Sequence, residues 1–162
     1  MLSSISASSL TFSKGSSYDL CFTPGDNCDG MIAEKVLESK KNIYVQAYHL
    51  TNEKIIKSLI EAKAHGVDVF VILDKTAVHE SKRLADREIP VMIDYKPRIA
   101  HNKVMIIDGE TVITGSFNFT QSAQSKNAEN VIIINDGDIA KAYKYNFDSR
   151  IRKSKKAIDK TR

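Results

Sequence analysis

Two runs, residues 67–73 and 104–107, constrain the fold most, because they are apolar at nearly every successive position. Successive side chains of an extended chain point to opposite faces, so such runs are strands covered on both sides. A sheet buried on both faces needs helices above and below it. The pattern supplies them: it predicts helices over 29–41, 51–65 (closed by Gly66), 78–87 and 138 to about 153. Strands are expected over 43–49, 67–73, 91–95 (after Pro90) and 130–134, with a hairpin between the last two that turns at Asp108-Gly109. The expected class is α/β, an α/β/α sandwich with a mixed central sheet. The helix and strand repeat sets the class and the hairpin supplies the antiparallel part.

The same hairpin carries the chemistry. Residues 101–118 place an imidazole (His101), an ammonium (Lys103), a hydroxyl (Ser116) and a carboxamide (Asn118) along it. His101 and Lys103, two apart, project from one side of a strand, while Asp108 is an odd number of residues further on and faces away. A phosphodiester is anionic and repels nucleophiles, so a site that attacks it must also neutralise its oxygens. Lys103 suits the second task. A neutral imidazole nitrogen of His101 suits the first, adding to phosphorus to form a covalent phosphohistidine. Ser116 and Asn118 can donate hydrogen bonds to the charged transition state, and Gly115 lets the backbone come close.

These residues, read as H-x-K-x4-D-x6-G-S with Asn118 two beyond the serine, resemble the motif of the phospholipase D superfamily, and the short bacterial Nuc-type endonucleases most of all. The likeness runs from Phe22-Thr-Pro-Gly through Val45-Gln-Ala-Tyr-His-Leu-Thr to Asn127-Ala-Glu-Asn-Val. It implies His101 as nucleophile, Lys103 and Asn118 as phosphate ligands, Ser116 as the motif serine and Asp108 as a structural residue. It also implies that Glu129 lies against the His101 ring and fixes its tautomer, as the aspartate does in a catalytic triad. The family mechanism uses two such motifs, one histidine attacking and the other protonating the leaving oxygen. This chain has one, since His49, His65 and His79 lack a lysine two residues on and read as ordinary side chains. The second histidine is therefore expected from another copy, in a homodimer with one composite active site.

Taken singly, each residue has a plainer reading: His101 as an ordinary strand-end histidine, Lys103 as a snorkelling lysine, Ser116 and Asn118 as turn residues, Glu129 as a strand-end charge. Their joint spacing favours the catalytic one. No carboxylate or histidine grouping suits a two-metal site, so activity is expected to need no metal and no cofactor. Asp74, alone at a strand end, reads as a cap or turn residue.

Substrate class rests on composition. The chain of 162 residues has a formal charge of +4 and no Trp, and it is 42% hydrophobic with no apolar run of transmembrane length. A basic chain favours a polyanion, so nonspecific cleavage of DNA, or of RNA, is the expected activity. A phospholipase D acting on phospholipid headgroups is the alternative, and a catalytically silent nucleic-acid-binding module is the third reading. Arg150, Arg152, Lys153, Lys155, Lys156, Lys160 and Arg162 form a basic tail that reads either as a backbone-tracking segment or as a solvated helix end. Residues 1–17 are Ser-rich and aperiodic, and are expected to be disordered or residual; residues 18–162 form the single catalytic domain. Cys21 and Cys28 flank Pro24-Gly25 and are spaced to close a small loop. Bridged, they fit an oxidising compartment, and with the family's habit they favour a periplasmic or secreted location.

Overall fold

A computed structural model describes residues 11–157. Its elements run β1 (Ser17–Thr23), α1 (Cys28–Leu37), β2 (Asn42–Ala47), α2 (Glu53–Ala64), β3 (Asp68–Asp74), a 3₁₀ segment (Lys75–Glu80) and α3 (Ser81–Ala85). Then come β4 (Val91–Asp94), β5 (Lys103–Ile107), β6 (Thr111–Gly115), α4 (Gln121–Ser125), β7 (Glu129–Asn135), α5 (Gly137–Ile151) and β8 (Lys155–Lys156). The strands form one sheet in the order β1-β7-β6-β5-β2-β3-β4-β8. β2, β3 and β4 are parallel, and β5, β6, β7 and β1 run antiparallel, so the sheet is mixed.

Alternation along the strands divides the core into two layers. Ile43, Val45, Val69, Val71, Met105, Ile107, Ile113, Val131 and Ile133 pack with α1 and α2 on one face. On the other, Ile72, Val104, Ile106 and Val112 pack with Ala140 and Phe147 of α5. This is the expected α/β/α sandwich. Helix α5 packs mainly on β6, β5, β2 and β4, and Tyr18, Leu20 and Phe22 of β1 stay exposed.

Local chemistry moves several boundaries from those expected. Asn52, fully buried, accepts from the backbone N–H groups of Lys54 and Ile55, so α2 begins at Glu53 and not at residue 51. Asp74 likewise caps the segment after β3 through Thr76, as its lone position implied. The helix expected over 78–87 is a 3₁₀ turn followed by a short helix, kinked at Ala77. Its break coincides with the capture of Glu80 by the β2 side of the sheet, where Glu80 accepts from the backbone N–H of Leu50.

Strand β1 was not expected. Only Cys21 and Thr23 of its side chains are buried, so its sequence lacks the signature of a packed strand, and its partners are backbone groups of β7. The lead before it is tethered in part, because Ser13 and Ser16 hydrogen-bond to Asp136 at the start of α5. The expectation for residues 1–10 lies outside the described residues. Cys21 and Cys28 form a disulfide with their Cα atoms 5.6 Å apart, joining β1 to α1. No helix among the described residues is long and apolar enough to cross a membrane.

Candidate active site

The mixed topology brings the C-terminal ends of β2 and β6 together with the N-terminal ends of β5 and β7. Every residue expected to act on phosphate lies on this edge. Lys103 opens β5 opposite Ala47 of β2, with 7% of its surface exposed. Its Nζ donates to the His101 carbonyl (2.7 Å) and lies 2.9 Å from His101 Nδ1. Burial pushes the Lys103 pKa down, and the charge of Glu129 pushes it back up without cancelling the shift. The site therefore holds a poorly hydrated cation against an exposed imidazole.

Tyr48, just past β2, forms the wall behind them. Its backbone N–H donates to the Asn102 carbonyl (2.9 Å), and its ring centroid is 4.7 Å from that of His101. The Lys103 ammonium lies 5.6 Å from the Tyr48 centroid, within range of a cation–π attraction.

Gly115 ends β6 with φ +147°, where a Cβ would fall 2.2 Å from the Asn130 carbonyl oxygen. A glycine is needed for β6 and β7 to approach this closely. The approach places Ser116 beside Asn130, whose backbone N–H donates to Ser116 Oγ (3.1 Å). The Ser116 hydroxyl in turn donates to Glu129 (2.5 Å), and Asn127 Nδ2 donates to the other Glu129 oxygen (3.0 Å).

This arrangement corrects the expectation for Glu129. Its hydrogen bonds go to Ser116 and Asn127, and His101 Nδ1 meets Lys103 instead. The strand order gives the reason: β6 lies between β5 and β7, so Glu129 starts two strand spacings, roughly 10 Å, from the strand that His101 precedes. Ser116, on the neighbouring strand end, is nearer. Asn118 follows on a turn locked to the β2 end by the pairing of Leu50 with Phe119 and by the Thr51 and Asn52 N–H groups, both bonded to the Phe119 carbonyl (2.9 Å). Asn118 Oδ1 is the one buried side-chain polar atom without a partner among the described residues.

Asp108 lies at the opposite end of β5, in the hairpin turn, with φ +55° beside Gly109 at +71°. Two successive positive φ values match the turn type favoured in tight hairpins. Its carboxylate accepts the backbone N–H groups of Lys40 (2.8 Å), Lys41 (2.8 Å) and Asn42 (3.0 Å). It clamps the α1–β2 connection and is remote from His101 and Lys103.

His49, ordinary from the sequence, belongs to the site's surroundings. It packs its ring against Tyr48 (centroids 4.3 Å) and meets the buried side chain of Glu80. The sequence signal was adjacency, since His49 follows Tyr48 at the end of β2; the link to Glu80 spans 31 residues and is tertiary. The basic tail divides in the opposite sense. Arg150 is tied to buried Asp94 through Nε (2.7 Å) and a second nitrogen (2.5 Å), so it supports the fold. Arg152, Lys153, Lys155 and Lys156 are exposed, whereas Lys160 and Arg162 lie outside the described residues. No group of three or more His, Cys, Asp or Glu side chains that could hold a metal occurs among the described residues.

An α/β/α domain that gathers an imidazole, a desolvated ammonium and a carboxamide at one sheet edge has the parts of a phosphodiesterase. A family model described as "Cardiolipin synthase, PLD-like domain" matches residues 32–151, a stretch that contains the whole motif. The chain is 44% identical over 137 residues to a protein named Phospholipase D from Rickettsia bellii, across 80% of this chain and 67% of that protein. Its fold superposes on Nuc from Salmonella typhimurium, titled a phospholipase D family member, with a TM-score of 0.81 and 30% identity over 87% of this chain and 97% of that one. NucT from Helicobacter pylori shares the fold with a TM-score of 0.78 at 19% identity, over 87% of this chain and 99% of that one. The chain belongs to the PLD-like domain family of the phospholipase D superfamily of phosphodiesterases.

Proposed function

We propose that the protein is an endonuclease that cleaves DNA, and RNA by the same chemistry, without a metal and through a phosphohistidine on His101. The observation that carries this reading is the contact of buried Lys103 with His101 Nδ1 at 2.9 Å. With the ammonium donating, Nδ1 accepts and the proton of the neutral ring rests on Nε2. An arriving phosphate draws Lys103 toward its oxygens and frees Nδ1 to take the proton, leaving Nε2 as the nucleophile. Attack forms the N–P bond and breaks the P–O bond to the leaving oxygen, and water then cleaves the N–P bond. Asn118 binds the phosphate. Glu129 acts on Lys103 by charge and on Ser116 by hydrogen bonding.

The leaving oxygen needs a proton, and the chain carries one motif, so a second copy supplies its own His101 across a twofold axis. The exposed apolar residues Tyr18, Leu20 and Phe22 support such pairing, because their strand ends beside Glu129 at the edge of the site. The net charge of +4 favours a polyanionic substrate. The name of the Rickettsia relative favours a second reading, hydrolysis of phospholipid headgroups by the same residues.

Purified protein and the His101→Ala variant are incubated with plasmid DNA in excess EDTA, beside a phosphatidylcholine assay for released choline. Nicking that vanishes in the variant supports the nuclease. Choline release with intact plasmid moves the protein to the phospholipase reading, and undiminished nicking by the variant refutes the mechanism. A monomeric mass at micromolar concentration with full activity refutes the dimer.

A further inference from the structure

Outside the motif, one ionisable pair faces the same edge of the sheet. His49 follows Tyr48, and both imidazoles contact the Tyr48 ring, with centroid separations of 4.3 Å for His49 and 4.7 Å for His101, so the two histidine rings lie within about 9 Å of each other. Glu80 reaches this point from the 3₁₀ segment. One of its oxygens lies 2.7 Å from His49 Nδ1 and the other accepts the Leu50 backbone N–H at 2.7 Å, while its side chain is only 6% exposed. A carboxylate only accepts, so His49 Nδ1 carries a proton and the ring is fixed.

The outer edge of that ring is unused. His49 has 31% of its side chain exposed, and Nε2 has no hydrogen-bond partner among the described residues. Nor is it among the buried unpartnered atoms, so solvent reaches it. A buried carboxylate that fixes one nitrogen and leaves the other facing outward is more than packing of an apolar ring requires.

We propose that His49 is a second phosphate-binding residue, which holds the phosphate next to the scissile one in a polynucleotide. Binding places a proton from solvent on Nε2, and the resulting imidazolium bridges the Glu80 carboxylate and the phosphate oxygen. No covalent bond changes. Lys103 and Asn118 grip the phosphate under attack, and His49 fixes the direction in which the chain leaves the cleft. The inference rests on the nuclease reading, because a phospholipid with one phosphate has no neighbour for His49 to hold.

His49→Asn keeps an amide nitrogen near the position of Nδ1 for Glu80 and removes the outward nitrogen. His49→Gln does the reverse, placing an amide nitrogen near that of Nε2. KM and kcat are measured on a hexanucleotide and on bis(p-nitrophenyl) phosphate, which carries a single phosphodiester. The loss of one hydrogen bond to a charged group predicts a rise of about tenfold in the hexanucleotide KM for His49→Asn, with kcat affected less. The rise is expected to be several-fold larger on the hexanucleotide than on the small ester, and His49→Gln recovers most of it. An equal loss on both substrates, or none on either, overturns the proposal and leaves His49 a structural neighbour of Tyr48. Wild-type protein that hydrolyses the small ester but neither binds nor cuts the hexanucleotide overturns the nuclease reading, and this inference with it.

Discussion

Replacing Asp108 by Asn separates the structural end of the hairpin from its reactive end. The carboxylate accepts three backbone N–H groups at 2.8 to 3.0 Å and stands in a turn at φ +55°. Asn tolerates that conformation but offers one acceptor oxygen in place of two. Hydrogen bonds to a charged group contribute about 1.5 to 3 kcal/mol each where they are well buried. Asp108 is half-exposed, so solvent screening lowers the expected loss to about 1 to 2 kcal/mol. For a domain of this size that is a fall of about 3 to 6 °C in Tm, read by circular dichroism at pH 7. Asp108→Ala loses all three bonds and adds the left-handed backbone penalty, for a total of about 3 kcal/mol.

The pH dependence identifies the cause. Burial pushes the Asp108 carboxyl up, but the Asn42, Lys40 and Lys41 N–H groups, helped by the Lys41 charge, together hold it below the usual carboxylate range. A folded pKa below the unfolded value of about 3.9 gives stability that is complete above that pH and lost as pH falls through the lowered value. The gap between wild type and Asp108→Asn therefore closes as pH drops below about 4. On the proposed nuclease reading, plasmid nicking per folded molecule is retained, because five residues of strand put Asp108 roughly 17 Å from Lys103. A gap that stays constant down to pH 2, or a folded variant that no longer nicks, refutes the clamp.

Lys103→Met removes a desolvated charge. Because burial depresses the lysine pKa in the folded state, its penalty is fully present at neutral pH and is relieved as pH rises through the folded value toward about 10.4. The variant is expected to match or exceed wild-type Tm at pH 7, with the gap narrowing as pH rises toward the unfolded value of about 10.4, while phosphodiester turnover falls by about a hundredfold or more. A lower Tm at pH 7 means that the hydrogen bonds to His101 outweigh the burial. Reducing the Cys21–Cys28 bridge, or replacing both residues with Ser, lowers unfolding free energy in urea by about 2 to 3 kcal/mol on the chain-entropy account; an unchanged midpoint refutes it. Arg150→Ala leaves the Asp94 carboxylate buried and unpaired, for an expected loss of about 3 kcal/mol. On the proposed nuclease reading, the salt dependence of DNA binding is unchanged in that variant, and a shallower slope returns Arg150 to the substrate-tracking tail.

Local order carried much of this protein. Runs apolar on both faces required a two-layered cover of helices, and the two-residue spacing of His101 and Lys103 put them in contact because it is a short-range property. Strand alternation also turned Asp108 away from Lys103 in the expectation, but in the fold the separation comes from its place in the hairpin turn at the far end of β5, where φ is +55°. Contacts between distant segments were not legible. Strand β1 pairs through backbone hydrogen bonds that any side chains allow, so its own residues announce little. The partner of Glu129 depends on β6 standing between β5 and β7. The clamp of Glu80 on His49 and the retention of Arg150 by Asp94 join residues 31 and 56 positions apart. The layers and the hairpin were written in the local sequence pattern, and so was the spacing of the candidate site residues. Which carboxylate meets which cation came from the folded arrangement, because that choice depends on strand order and burial, which no local pattern encodes.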